Sequence, residues 1–393
     1  MLLADGVTWR RSQRGLVVRV PGSPPLLVEH HRAHVIPQIV SATSDPKDLV
    51  AGLGGTPADQ QLVTDLFEER ILVEAASDGN TDPYVQPKRF SLTRSGLEIS
   101  GIETIARLLY RVVAPVVRSR LGRLFLIAVV VGGIVALALG RPAGPQVSEH
   151  PSIDALLGIV LALSCSAAHE LAHAVTLVHY GRTPGRAGCG FYWGALCFYV
   201  DSTDAVTLPR RARVVNALAG LAVDVVTTAI LLMVAQVSST VLIYAVCWRV
   251  AILGLVNMAE NALPILEVDG QVALSDLLDE PDLSMRSREA LSRLLRRRGQ
   301  DEQPPWLPWF GAFSITGGVV LLASSAYFWW YAAGDLIRTL LAGSPGDIIV
   351  ALYLIVPFAA GVIFSSLGLV LELVTSRHTE AGGAKDATDS PAT

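Results

Sequence analysis

The sequence predicts an α-helical polytopic membrane protein of about six transmembrane helices, with a small α+β, winged-helix-like cytoplasmic domain at its N-terminus. Two observations carry this prediction. The chain of 393 residues is 51% hydrophobic and only 17% charged, and several apolar runs approach or exceed the roughly 20 residues that cross a bilayer. Residues 1–95, in contrast, have a mixed composition and contain no such run. The formal net charge of −4 indicates neither a nucleic acid nor an acidic partner.

Residues 1–95 are expected to fold as the winged-helix-like domain. Turn and periodicity signals indicate two strands, three short helices and a closing strand pair (the wing), at 17–20, 26–29, 30–41, 46–53, 57–72, 72–75 and 90–93. This pattern resembles that of peptide-recognition domains, and the resemblance implies that the domain binds a peptide by strand addition. DNA binding is the alternative for a winged helix, but the domain lacks the basic stripe that DNA binding needs.

Residues 96–122 are expected to form an interfacial amphipathic linker. The stretch GIETIARLLYRVVAPVVRSRL, from Gly101 to Leu121, has apolar residues at near-helical spacing with arginines between them. A helix of this composition lies in the plane of a membrane surface. The linker would therefore hold the N-terminal domain against the inner leaflet.

The membrane domain is expected to cover residues 123–375, followed by a disordered tail at 376–393. Its six apolar runs lie near 123–140, 154–180, 214–236, 239–262, 311–333 and 347–374. Arginines concentrate before the first run and in the loops 181–213 and 263–310, and basic loops favour the cytoplasmic side. The first twelve residues lack the apolar stretch of a signal peptide. We therefore expect a multi-pass protein of the inner or plasma membrane with both termini in the cytoplasm.

The second apolar run contains the sequence HELAH, from His169 to His173. This H-E-x-x-H pattern places two histidines on one face of a helix with Glu170 beside them, as in zinc proteases. An ionised side chain at bilayer depth costs about 2.5–3.5 kcal/mol on insertion scales, so such residues are usually functional. A water-soluble metalloprotease is the alternative, and the composition argues against it. The pattern therefore predicts a zinc site inside the membrane, with His169 and His173 as ligands.

A catalytic zinc site needs a third protein ligand and one position open for water. His179 is turned away from the ligand face of the same helix. Asp224, in the third apolar run, is one candidate, and Asp269 is the stronger one. Asp269 follows the fourth run in the sequence NALPILEVDG, at the expected depth of HELAH. Pro264 breaks the helix there, and Gly270 lets the backbone turn after the carboxylate.

The two motifs together resemble the site-2 protease family of intramembrane zinc metalloproteases. H-E-x-x-H is followed about 90 residues later by N-x-x-P and then D-G, and the resemblance covers residues 154–275. It implies that His169, His173 and Asp269 bind Zn2+. It also implies that Glu170 is the catalytic base and that Asn261 contacts the substrate backbone.

The loop 181–213 is closer to the branch called peptide zinc metalloproteases, which is similar to enzymes encoded with ribosomally made, modified peptides. The N-terminal domain likewise resembles the peptide-recognition domains of modified-peptide biosynthesis enzymes, and such enzymes are expected partners. One departure concerns the span between the motifs. The family often shows Gly-Pro at its start, where this chain has Ala219-Gly220-Leu221.

The resemblance implies an intramembrane zinc metalloendopeptidase that removes the leader of a small precursor peptide near the cytoplasmic membrane face. Zinc would activate water, and Glu170 would take the water proton and pass it to the leaving amine. Two alternatives stay open: a site-2 protease that cleaves a membrane-anchored regulator of the anti-sigma-factor type, and a non-proteolytic metal-binding transporter or immunity protein. A general base beside the ligands favours an enzyme, because a transport site needs none.

Two further features of the membrane domain call for a structural explanation. The loop 188–200, GCGFYWGALCFYV, is aromatic and punctuated by glycines, which predicts a hairpin. This hairpin would pair with an extended substrate strand or, alternatively, only seal the site. Arg249 lies within the fourth run, and Asp224 is its expected partner because charges within a membrane tend to pair.

Overall fold

A computed structural model of the chain describes residues 2–3, 7–12, 15–19, 26–29, 50, 55–68, 71–73, 90–93, 96–192, 195–265, 268–280, 283–295 and 304–375. Most of the described residues are helical, and a small sheet region accompanies them. The predicted polytopic helical architecture is therefore confirmed at this level. The predicted helix at 30–41, most of the predicted helix at 46–53 and the tail at 376–393 lie outside the described residues.

The described part of the N-terminal region combines short antiparallel strands with one helix. Its elements are β1 (Leu2–Leu3), β2 (Thr8–Ser12), β3 (Gly15–Arg19), β4 (Leu26–Glu29), α1 (Pro57–Glu68), β5 (Leu72–Val73), β6 (Phe90–Thr93) and β7 (Gly96–Ile99). Strands β2, β3 and β4 form one sheet. Its Val18 and Val28 pack with Leu66 of α1 in a small apolar core. The strands predicted at 17–20 and 26–29 and the helix predicted from residue 57 are thus confirmed.

The predicted wing between 72–75 and 90–93 is wrong. Strand β5 pairs with β1, and β6 pairs with β7 in a tight hairpin that sets Thr93 opposite Gly96. Closing this short connection costs less chain entropy than closing the long polar stretch between β5 and β6. Strand β7 was overlooked because its sequence, GLEI, lies within the stretch expected to be the interfacial linker.

A four-stranded sheet joins the N-terminal region to the membrane domain. Strand β7 pairs with β8 (Ala187–Tyr192), which pairs with β9 (Ala195–Val200), so the strand order is β6-β7-β8-β9. The hairpin predicted in the loop 188–200 is therefore confirmed. Arg186 donates to Glu98 Oε2 at 2.9 Å, and Tyr199 donates to Glu98 Oε1 at 3.1 Å across this sheet. Residue 96, where the expected linker begins, is the first residue of β7, which pairs with β6 on one side and with β8 on the other.

The linker helix α2 (Ile102–Arg118) leads directly into α3 (Arg120–Ala138) through Ser119. The Ser119 hydroxyl caps α3 by accepting a hydrogen bond from the backbone of Gly122. Three apolar side chains of α2 are half or more exposed, Ile105, Leu108 and Val112. An exposed apolar face with arginines beside it is the composition of an interfacial helix.

The remaining helices form the membrane domain and its loops. They are α4 (Pro151–His179), α5 (Arg210–Ala217), α6 (Ala219–Val237), α7 (Val241–Ala262), α8 (Asp269–Leu278), α9 (Leu283–Leu295), α10 (Leu307–Leu341) and α11 (Pro345–Thr375). Six helical segments are long and apolar enough to cross a membrane: Arg120–Ala138, Pro151–His179, Arg210–Val237, Val241–Ala262, Leu307–Leu341 and Pro345–Ile363. Each of the six apolar runs in the sequence corresponds to one of them.

Helix α7 lies at the centre of the bundle. Half of the residues in its most apolar stretch are buried inside the protein, compared with 6% in the corresponding stretch of α11 at the periphery. Trp248, Cys247 and Ala251 of α7 pack with Leu232 of α6 in the largest buried cluster of the membrane domain. The apolar side chains left on the outer helices, such as Phe125 of α3 at 64% exposure, form a surface suited to lipid.

The two loops expected on one side of the membrane contact each other. Helix α5, in the first loop, is joined to α8, in the second, by an ion pair between Arg213 and Asp276. Helix α9 packs on the start of α10, where Leu283 and Ala290 bury Leu307. These short helices and the β8–β9 hairpin gather at the end of the bundle where α4 finishes.

Candidate metal centre

The HELAH sequence lies in the last third of α4. Proline suits the first turn of this helix because the N–H that it removes has no helical partner there. The alanine- and leucine-rich sequence that follows favours a helix. With about 3.6 residues per turn, His169 and His173 share one face, and Glu170 lies about 100° around the helix. Both histidines are buried, so their ring nitrogens have partners within the protein.

Three ligand atoms from α4 and α8 converge. His169 Nε2 lies 3.0 Å from Asp269 Oδ2, His173 Nε2 lies 3.5 Å from it, and the two Nε2 atoms are 3.4 Å apart. A tetrahedral zinc ion with bonds of about 2.0–2.1 Å would separate its ligand atoms by about 3.3 Å. The observed triangle therefore has the dimensions of three corners of a zinc tetrahedron, and the group could hold a metal ion.

The other nitrogen of each ring is already engaged. His173 Nδ1 lies 2.8 Å from the carbonyl oxygen of Asn216, which only accepts, so Nδ1 is the protonated nitrogen. His169 Nδ1 donates a hydrogen bond of 2.8 Å to Asp224 Oδ2, so this nitrogen is protonated as well. With both Nδ1 atoms protonated, both neutral rings present the Nε2 lone pair to the triangle. Partners of this kind fix the tautomer and orientation of metal-binding histidines.

The three atoms of the triangle, two ring nitrogens with lone pairs and one carboxylate oxygen, are therefore all hydrogen-bond acceptors. Asp269 Oδ2 is buried and has no hydrogen-bond donor among the described residues. The deprotonated form of Asp269 is the one that binds a metal ion, because a metal-ligating aspartate must be a carboxylate. Two lone pairs and a carboxylate oxygen at these distances repel one another unless a cation lies between them.

Gly220 of α6 gives His169 the space for this position. A Cβ atom on residue 220 would lie 2.3 Å from His169 Nε2 and 2.4 Å from Cε1, closer than atoms can approach. The ring of His169 therefore packs against the α6 backbone, and Asp224, about one turn further along α6, reaches its Nδ1. Gly220 stands where the resembling family often has Gly-Pro, and here its missing side chain is what the site uses.

Asp269 is placed by the irregular segment after α7. The segment ends α7 at Ala262 and starts α8 at Asp269. Gly270 packs so closely on α7 that a Cβ there would lie 2.2 Å from the Ala262 carbonyl oxygen and 2.8 Å from that of Asn261. Glycine is thus required for close approach at this position. The expected sharp turn after the carboxylate is the first turn of α8.

Glu170 contacts the sheet rather than the triangle. Its Oε2 accepts a hydrogen bond of 3.0 Å from the backbone N–H of Val200, at the end of β9. Strand β9 is an edge strand of the four-stranded sheet. The outer edge of β9, which points away from β8, therefore faces α4 and the carboxylate of Glu170.

The structure brings together most of the predicted site residues. His169, His173 and Asp269 converge as expected, with Glu170 beside them. Asn261 is half-buried in the last turn of α7, with its carbonyl against Gly270, and its contact with substrate stays a prediction. His179 is turned away from the site, with its Nδ1 3.1 Å from the Tyr110 hydroxyl.

Two expectations about Asp224 change. It orients His169 and does not supply the third ligand atom of the triangle. The expected pair between Arg249 and Asp224 is wrong, because Arg249 pairs with Asp154 at 3.1 Å. Consecutive helices α6 and α7 run in opposite directions, which places Asp224, early in α6, far along the bundle from Arg249 in the first half of α7.

Three contributions to the site were missed in the sequence. They are the Asn216 carbonyl, the Val200 N–H and the space at Gly220. The first two are backbone groups, which carry no residue-type signal. A small residue at Gly220 had a signal, since glycine is unfavourable within an apolar helix unless something packs against it.

A comparison of the chain with family models, curated proteins and solved structures found no match.

Proposed function

We propose that this protein is an intramembrane zinc metalloendopeptidase that removes the leader of a small precursor peptide near the cytoplasmic membrane face. The observation that carries the proposal is the acceptor triangle of His169, His173 and Asp269 inside an apolar bundle, with Glu170 beside it. This is the residue set that the resemblance to site-2 proteases implies. If the six apolar helices span a membrane as we propose, uncompensated charge among them is costly, which favours a functional role for these residues.

The chemistry divides between the metal and Glu170. Zinc held by the triangle would supply Lewis acidity, which lowers the pKa of a water molecule and polarises a peptide carbonyl. Glu170 accepts the proton of the attacking water and delivers it to the leaving amine, as a general base and then acid. The hydrogen bond from Val200 orients the Glu170 carboxylate. Asp224 and the Asn216 carbonyl keep the two rings in the tautomer that binds metal.

We propose that the backbone of the substrate binds along the outer edge of β9. Because the Val200 N–H points away from β8 to Glu170, strand alternation directs the N–H groups of Phe198 and Leu196 to the same edge. An extended peptide added there would run between β9 and α4 and pass beside Glu170. In this proposal the N-terminal domain binds the leader, while both termini and the β8–β9 hairpin lie on the cytoplasmic side.

Co-expression with the precursor peptide encoded beside its gene tests this function. With wild-type protein, mass spectrometry of the peptide should show one defined truncation. With Glu170→Gln the rate should fall by about 10²–10⁴-fold, the usual contribution of a general acid–base group, so the peptide stays intact. Elemental analysis of the purified Glu170→Gln protein should still show zinc, because Glu170 is not part of the ligand triangle.

Glu103→Gln is the matched control. Glu103 lies on the exposed side of α2 and pairs with Arg107, so this variant should cleave as the wild type does. Full cleavage by Glu170→Gln would reject the assigned base. Intact peptide with zinc-loaded wild type would redirect the proposal to a membrane-anchored regulator as substrate, or to a non-proteolytic role in metal transport or immunity.

A further inference from the structure

Helix α5 contacts both halves of the metal centre. The carbonyl of Asn216 accepts the hydrogen bond from His173 Nδ1 on α4. Arg213, about one turn earlier on α5, forms an ion pair with α8, the helix whose first residue is Asp269. Arg213 is 3% exposed. One short helix thus contacts His173 directly and the helix that begins with Asp269 at its far end.

Arg213 holds the far end of α8 through its whole guanidinium group. Its Nε lies 2.5 Å from Asp276 Oδ1, and its Nη2 lies 3.0 Å from Asp279 Oδ1. Its Nη1 donates to the Leu208 carbonyl at 3.2 Å. Only an arginine fork reaches two carboxylates and a carbonyl in one plane. Asp279 is the C-cap residue of α8, with a φ of 54°, and its backbone N–H bonds to carbonyls of the last helical turn. A contact with its carboxylate therefore acts directly on the end of α8.

The N-terminal region supplies a second arginine to the same carboxylate. Arg10 of β2 donates through Nη1 to Asp279 Oδ1 at 3.0 Å and through Nε to the Val206 carbonyl. Arg19 of β3 pairs with Asp204 at 2.6 Å, on the 3-10 turn Thr203–Thr207 that precedes α5. Asp279 is therefore shared by Arg10 and Arg213, and the N-terminal sheet rests on the end of α8.

A small tilt of α8 about Asp279 displaces Asp269 at the opposite end of the helix. Ten helical residues extend about 15 Å, so a tilt of about 5° moves one end by about 1.3 Å relative to the other. A displacement of about 1 Å at a catalytic group can cost about 10²-fold in rate. The triangle of ligand atoms is 3.0–3.5 Å on a side. A shift of that size at Asp269 would therefore remove its tetrahedral dimensions.

We infer that Arg213 and Arg10 are positioning residues of the metal centre, which hold Asp269 in place by fixing the opposite end of α8 at Asp279. This inference rests on the proposed zinc site. It makes the N-terminal domain part of what determines zinc affinity, through Arg10, as well as the region that binds peptide. The chain then loads metal fully only when the N-terminal sheet is seated on α8.

Zinc affinity of the full chain in detergent, measured by competition with a chelator, tests the inference. Arg213→Gln should weaken zinc binding by about 10–100-fold, the range for residues that orient metal ligands. Arg10→Gln should weaken it less, by a few-fold, because Asp279 keeps its bond to Arg213. The ligand-field spectrum of bound Co2+ should change in the same order. Arg213→Lys should recover only part of the affinity, since one ammonium cannot bridge both carboxylates.

The control is Arg107→Gln, which removes an exposed ion pair with Glu103. It should change neither the zinc affinity nor the ligand-field spectrum of bound Co2+. Arg213→Gln protein that elutes and unfolds like wild type, with unchanged zinc affinity and Co2+ spectrum, would overturn the inference. If Arg213→Gln does not fold, Arg10→Gln decides, and wild-type zinc affinity in that variant overturns it. A wild-type chain that binds no zinc would overturn the proposed function as well, which distinguishes the two failures.

Discussion

Helix α4 contributes to two buried polar groups that differ in how their negative charge is balanced. Near its start, Asp154 is completely buried and pairs with Arg249 of α7 at 3.1 Å. About 22 Å further along the helix, His169 and His173 meet Asp269. The first group contains its own cation, although the other oxygen of Asp154, Oδ1, has no hydrogen-bond partner among the described residues. The second contains two imidazoles and a carboxylate, with no lysine or arginine in the triangle.

The difference distinguishes a structural charge pair from a group that could hold a metal ion. Asp154 Oδ2 accepts from Arg249 and from the backbone of Ser148, so its charge is compensated by the protein. Asp269 Oδ2 has no donor among the described residues and faces two ring lone pairs. Buried charge must be paired or bound to metal. Asp154 meets this requirement with Arg249. No lysine or arginine among the described residues pairs with Asp269, and this difference supports the proposed metal site.

Loss of Asp269 should have the largest effect. Asp269→Ala should lower zinc affinity by more than about 100-fold, the upper range for residues that only orient ligands, because a ligand atom itself is removed. Elemental analysis after dialysis against a chelator and readdition of zinc measures this. The double variant Asp154→Asn with Arg249→Met is the matched control, because it removes the other buried carboxylate without leaving a charge unpaired, and it should retain full zinc content. Equal zinc content in Asp269→Ala and wild type would mean that the comparison between the two groups is wrong.

Loss of Arg249 should destabilise the fold without removing the metal. Arg249→Met leaves Asp154 buried without its cation, which costs about 3–5 kcal/mol. Denaturant unfolding in detergent should show this loss, with zinc content unchanged. The double variant Asp154→Asn with Arg249→Met should recover much of the stability, because no unpaired charge is left. A single variant as stable as wild type would show that the Asp154 pair is not structural.

Gly220→Ala should have the smallest effect of the three. The added Cβ must displace the ring of His169, so zinc affinity should fall by about 10–100-fold while the ligand set stays complete. Gly158→Ala on α4 is the control, because a Cβ there meets nothing within 4 Å. Chelator competition on both proteins measures the difference. Equal affinities would place the His169 ring elsewhere than against α6.

The sequence predicted the features that depend on local pattern. Apolar runs long enough to span a bilayer predicted all six long helices. The four-residue spacing of His169 and His173 predicted that both lie on one face of a helix. Asp269 was proposed as a ligand because Pro264 marks the break after α7 and a D-G pair follows it, although Gly270 lies in the first turn of α8. The pairing of β6 and the partner of Arg249 were not predictable in this way. Each depends on which of several distant segments packs alongside, and neither strand propensity nor charge alone decides that.

Because β7 pairs with β8, it must wait during synthesis until β8 has been made. Ile99 leaves the ribosome about 90 residues before its partner Ala187, which at about 5–20 residues per second is a delay of roughly 4–18 s. During this interval α2, α3 and α4 are made, while the β8-facing edge of β7 is still unpaired. An open strand edge is a template for wrong pairing. Translation pauses and chaperones that act in this window should therefore influence the yield of folded protein more than those acting on later segments.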